Sequence, residues 1–246
     1  MNAFKDQSAA TTTSQESTVN ESSAEASPPN DGCKQSVDLD KPAGWGPARL
    51  LTPADDFVEW PALNQDGVGP WGDERNFYVG RPSSATQESD VLRASGEGSN
   101  SNVIRVERGK FYVLSIYVHN SANESPEMAL VNTRAKVSLP VCAGKQISTN
   151  AFLSADNASP DTVWGGVTFW SDEIFNLAYV PGSARICNNY FTCRADDERQ
   201  GTPVTDALFT LAGQQVGFDS LDGVLHGNYN EATYIHFVVR PQFAPE

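Results

Sequence analysis

From Lys110 to His119 the chain reads Lys-Phe-Tyr-Val-Leu-Ser-Ile-Tyr-Val-His. Side chains alternate across a strand, so Tyr112, Leu114, Ile116 and Val118 share one face and Phe111, Val113, Ser115, Tyr117 and His119 the other. Both faces are mainly apolar, which predicts a central strand covered on both sides. A chain with such a strand must build layers above and below it. Arg108-Gly109 before it suggests a tight turn, with Val103–Glu107 as the expected hairpin partner.

Further strands are expected at Thr133–Leu139, Gln146–Leu153, Val163–Trp170, Ile174–Val180, Ala184–Tyr190 and Thr233–Arg240. Turn-forming residues punctuate them, as at Leu139-Pro140, Ala158-Ser159-Pro160, Pro181-Gly182, Asn228 and Pro241. Helical spacing is nearly absent. Pro203–Leu211 could form one or two turns capped by Thr202 or Thr205. Short strands at roughly ten-residue spacing predict an all-β antiparallel sandwich with long loop insertions. This domain is expected over residues 45–246, as one body or two packed sub-domains. Residues 1–44 carry eleven Ser/Thr and seven acids but few large apolar side chains. Their burial would not offset about 1–2 kcal/mol of backbone ordering per residue, which predicts a disordered arm, either a stalk or a dispensable terminus.

The segments Gly109–Asn120 and Ala129–Pro140 resemble the conserved-repeat, immunoglobulin-like domains of bacterial cell-surface proteins: a Gly turn, an alternating strand, a Val-x-Asn corner, a loop, a second strand and a Leu-Pro exit. Ala178–Arg185 and Tyr234–Arg240 are similar to the remaining strands of that pattern. Gly72–Phe77, Asn132-Thr133, Ser154–Ala158 and Tyr179–Ser183 further resemble a group of uncharacterised, exported actinobacterial proteins. The resemblance spans about Trp45 to Arg240 and implies an immunoglobulin-like sandwich at a cell surface or in secreted form. It transfers no catalytic residue.

Seventeen Lys+Arg stand against 31 Asp+Glu, a net charge of −14. Residues 1–44 hold −4 of this (three Lys, seven acids), leaving −10 on the predicted domain. Such a charge repels nucleic-acid backbones and anionic lipid, so neither is an expected partner. No run approaches the ~18 apolar residues of a membrane span, and no signal peptide is visible. The four cysteines allow three pairings. Cys187 and Cys193 enclose a short loop and are the preferred bridge, which leaves Cys33 with Cys142; four free thiols are the alternative.

Candidate chemistry is sparse. His119, His226 and His236 lack metal-ligand spacing, and no Cys-x-x-Cys occurs, so no metal residues are assigned. Asp156-Asn157 with Asp161, Asp172-Glu173, and Asp219 with Asp222-Gly223 are the calcium candidates, although none matches the twelve-residue calcium loop. No Gly-x-Ser-x-Gly elbow is present. His226, in a predicted loop, is the least implausible general base. Trp60, Trp71 and Trp164 lie beside turns, where Trp can stack on sugar rings or plug a core. The expected protein is therefore a non-enzymatic, extracellular structural or adhesion module. It would present loops, and sheet edges where open, to a protein or glycan, with self-association possible. A carbohydrate-binding module is the alternative.

Overall fold

The computed structural model describes residues 32–33, 44–53, 56–85, 99–188 and 201–245. The predicted arm falls outside these residues apart from Gly32–Cys33 and Gly44, as does Cys193. Residues Asp31–Glu246 form one compact unit. It is all-β, with β1 (Gly32–Cys33), β2 (Gly44–Gly46), β3 (Tyr78–Pro82), β4 (Val103–Arg105), β5 (Tyr112–Val118), β6 (Arg134–Ser138), β7 (Ala143–Ser154), β8 (Thr162–Tyr179), β9 (Arg185–Asn188), β10 (Thr202–Pro203), β11 (Gln214–Gln215) and β12 (Thr233–Phe243). Among the described residues the only helical elements are short 3-10 turns, and none is long and apolar enough to cross a membrane. One turn covers Asp206–Phe209, and its N-cap Thr205 accepts a hydrogen bond from the Ala207 amide.

A single mainly antiparallel ladder runs β10-β9-β12-β8-β7-β6-β11, with β5 on β12 and β3 on β5. The ladder bends over itself. Tyr78 of β3 packs against Gly165 of β8, and its hydroxyl bonds the Thr149 hydroxyl of β7 at 3.1 Å. Two layers therefore face each other across the aromatic core, in a sandwich-like arrangement. Phe77, Phe169, Phe175, Phe237 and Tyr112 fill it.

As its apolar parity requires, β5 is central and buried along its whole length. Leu114, Ile116 and Val118 enter the main core, while Val113 joins Phe111, Val180, Val238 and Ala85 in a smaller cluster. The expected hairpin does not form. Instead β4 runs parallel to β8, pairing Val103 with Thr168, while β5 lies between β3 and β12. Gly109, at φ +75°, redirects the chain between layers rather than reversing it within one. The two strands expected around Ser171 are one 18-residue strand, β8. It pairs with β7 along most of its length and with β12 near its end. Pro181-Gly182 is an interruption rather than a reversal: β9 resumes on the same antiparallel partner, with Arg185 opposite His236 after Tyr179 opposite Val239. Pro241 lies inside β12, in a stretch paired only with β8, where a missing N–H is tolerated.

Candidate functional site

The segment after β2 forms a small hairpin against the end of β5. Within it the Glu74 amide donates to the Asp66 carbonyl, and Gly69 and Gly72 exchange amide-to-carbonyl bonds across the Pro70-Trp71 tip. Gly72 sits at φ +95°, a conformation that favours glycine. Gly69 has no alternative either: an added Cβ would lie 2.5 Å from the Glu74 side chain. The tip folds inward, placing Trp71 edge-on to Tyr117 and Tyr234, with ring centroids 6.1 Å away in each case.

Two asparagines hold this hairpin to β5. Asn64, at φ +47°, donates from its amide to the His119 carbonyl and from Nδ2 to the Tyr117 carbonyl. Asn120, fully buried, accepts from the Ala62 and Ala122 amides and donates to the Met128 and Leu225 carbonyls. The Val-x-Asn corner thus joins three separate segments.

The result is a cluster of Asp66, Glu74 and His119, whose donor atoms all lie within 4.8 Å of one another. His119 Nδ1 is 2.9 Å from Glu74 Oε2 and 3.5 Å from Asp66 Oδ2. The side chains of Glu74 and His119 are 0% and 3% exposed, and that of Asp66 is 19% exposed. Asp66 Oδ1, Glu74 Oε1, His119 Nε2 and Tyr117 Oη are buried without a hydrogen-bond partner. Each such orphan typically costs about 1–3 kcal/mol. Burial would push the His119 imidazolium down. The Glu74 hydrogen bond, the charges of Glu74 and Asp66 and the neighbouring Asn228 carbonyl outweigh it and hold its pKa above the ordinary value. Desolvation, followed by the Glu74 charge, pushes Asp66 up to about 6 against the opposing effects of His119 and Ser121. Asn228, bordering the site, stands at φ 132°.

Sequence spacing did not reveal this cluster. Asp66 and Glu74 flank the Pro70-Trp71 tip, so a hairpin reading could have paired them. Nothing local ties them to His119, 45 residues beyond Glu74. Among the other histidines, His226 is exposed near Asp222, and His236 bonds Ser115 Oγ at 2.8 Å.

The acidic pairs considered for calcium have other engagements. Asp172 and Glu173 form ion pairs with Arg105 and Arg108, Asp156 accepts from Asn132 Nδ2, and Asp222 Oδ1 accepts from the Val224 amide. Of the candidate tryptophans, Trp60 is 40% exposed and donates to the Ser159 carbonyl. Trp71 is packed as described, and Trp164 lies so close to Gly46 that a Cβ there would approach its indole within 2.5 Å. Neither Cys142 nor Cys187 is a free thiol.

A second feature is an open groove of about 770 Å³ between the β6–β7 connection and the end of β8. Leu139, Val141, Leu177, Tyr179 and Phe209 form its apolar lining, with Asp206 on its rim. Val141 is fully exposed, and the Tyr179 and Phe209 rings pack at 4.3 Å. Comparison with known protein families, with curated proteins and with solved structures returned no match.

Proposed function

We propose that the chain is a non-enzymatic module of a cell surface or secreted protein that holds a partner protein through the groove beside the β6–β7 connection. The observation that carries this reading is the groove itself. It places a fully exposed valine and two partly exposed aromatic rings around one concavity, and exposed apolar patches of this kind commonly mark contact sites. The sequence resemblance to immunoglobulin-like surface repeats supports the location, and so do the two cysteines that are not free thiols, since bridges persist in oxidising compartments.

Burial of the Glu74 and His119 side chains favours a structural use of that cluster over catalysis. Contact through sheet edges is disfavoured. Among the described residues the ladder ends in the two-residue strands β10 and β11, and β10 ends on Pro203. The test is a titration of fluorescently labelled protein onto intact cells that express the chain, comparing wild type with Val141→Glu. Saturable binding that falls at least tenfold in the variant, with an unchanged melting temperature, supports the reading. Equal binding by the two proteins, or no binding, overturns it. Binding competed by soluble polysaccharide but not by protease treatment of the cells shifts the assignment to a glycan partner.

A further inference from the structure

We propose that Asp66, Glu74 and His119 bind a divalent first-row transition ion, Zn²⁺ foremost, which staples the 63–77 hairpin to the end of β5. Three independent observations converge. The first is geometric. Ligand atoms around a tetrahedral ion with bonds of about 2.0–2.1 Å stand about 3.3 Å apart, and the donor pairs here measure 2.9 Å and 3.5 Å within a set spanning at most 4.8 Å. Closing onto an ion needs side-chain adjustments of well under an ångström for two of the pairs.

The second is the set of unpartnered atoms. Glu74 Oε1 is fully buried and, like Asp66 Oδ1, closes no hydrogen bond of ordinary geometry, although the Tyr117 hydroxyl interacts with Glu74. Buried polar groups are nearly always satisfied, so an orphaned carboxylate oxygen in this position points to a missing partner. A cation supplies one to both carboxylates at once. The third is charge. Without an ion, two carboxylates face one imidazole, and even the imidazolium leaves a net charge of −1 within the cluster, with the Arg49 guanidinium acting on Glu74 from outside it. A divalent ion with a neutral imidazole brings the sum to zero.

The donor set selects the ion. Imidazole nitrogen with two carboxylates suits Zn²⁺ or Mn²⁺, whereas Ca²⁺ takes six to eight oxygens and gains nothing from imidazole. His119 presents Nδ1 to both carboxylates, while the Asn228 carbonyl adjoins the same ring. A neutral imidazole with its proton on Nε2, which has no hydrogen-bond partner here, leaves the Nδ1 lone pair for the ion. Partly exposed Asp66 gives the ion a route in and a place for a water ligand.

The experiment uses the whole chain, treated with chelator and then given Zn²⁺, Mn²⁺, Ca²⁺ or Mg²⁺. Stoichiometry is read by elemental analysis after desalting, and stability by thermal unfolding. The expected result is one Zn²⁺ per chain and a rise in Tm of about 5–10 °C at ion concentrations a hundredfold above Kd. Mn²⁺ should act more weakly, and Ca²⁺ and Mg²⁺ should have no effect. Asp66→Asn, at a partly exposed loop position, should fold and lose the shift. Glu74→Gln should also lose it, and Asp172→Asn, at an exposed position away from the cluster, should keep it. Well under one ion per chain with no shift in the wild type overturns the proposal. So does a full shift in Asp66→Asn, or a shift produced by Ca²⁺ but not by Zn²⁺ or Mn²⁺.

Discussion

His236 is held as a structural residue of the sheet. It lies in β12 between Ser115 of β5, whose hydroxyl bonds its Nδ1, and Arg185 of β9, with Arg81 of β3 nearby and Tyr234 stacked on its ring. Desolvation, then the Arg81 charge, pushes its pKa down to about 4. Between that value and the ordinary value near 6.5 the unfolded chain binds the proton and the folded chain does not, so this residue's contribution to stability grows as pH rises through the window and is lost as pH falls. Asp66, held up to about 6, works in the opposite direction, so the histidine must be isolated by substitution. His236→Gln should therefore show less loss of stability between pH 6.5 and pH 4 than the wild type. Urea midpoints across that range measure the difference, and parallel curves would contradict the assignment.

At the scale of elements, the spacing between the layers depends on one glycine in β8. A Cβ at Gly165 would lie 2.7 Å from the Tyr78 Cβ and 3.3 Å from the Tyr78 amide nitrogen, and the backbone of β3 cannot retreat without disturbing its ladder with β5. Gly165→Ala should destabilise the fold by about 1–3 kcal/mol, the usual cost of overpacking, as read from equilibrium unfolding. A neutral result would mean that the layers are not held at this distance. Much of the element pattern was legible in the sequence. The parity of Lys110–His119 announced a doubly covered strand, and the expected β6, β7, β9 and β12 positions lie close to the observed ones. Pairing was not legible. The Arg108-Gly109 signal looks the same whether the chain reverses beside itself or crosses to another layer, and Pro181-Gly182 looks the same whether it ends a strand or kinks its path. Local residues set a bend, while distant partners decide which neighbour it meets.

For the whole molecule, the ends of the ladder oppose assembly through strand addition. β10 and β11 are two residues long, and the free side of β3 is occupied at Gly80 by a pair of backbone hydrogen bonds with Ser101. The net charge of −14 adds repulsion between copies. Light scattering at high protein concentration and physiological salt should report the mass of a single chain. A stable dimer would require an interface other than these edges, with the groove beside Val141 as the surface to test first. The groove is itself a product of the global arrangement, since its walls come from the β6–β7 connection, β8 and the 3-10 turn at Asp206–Phe209.

What the sequence determined by itself was the class of secondary structure, the central place of β5 and the acidity of the folded part. These depend on side-chain parity, turn residues and charge, which are properties of neighbours along the chain. The tertiary structure alone decided that β4 joins β8 in parallel, that Asn120 ties three segments together, and that Asp66, Glu74 and His119 share one buried space. A cluster of this kind has no signature in spacing. Its members are brought within bonding distance by a hairpin, a strand end and the layers that enclose them, and each of those positions depends on contacts between residues far apart in the chain.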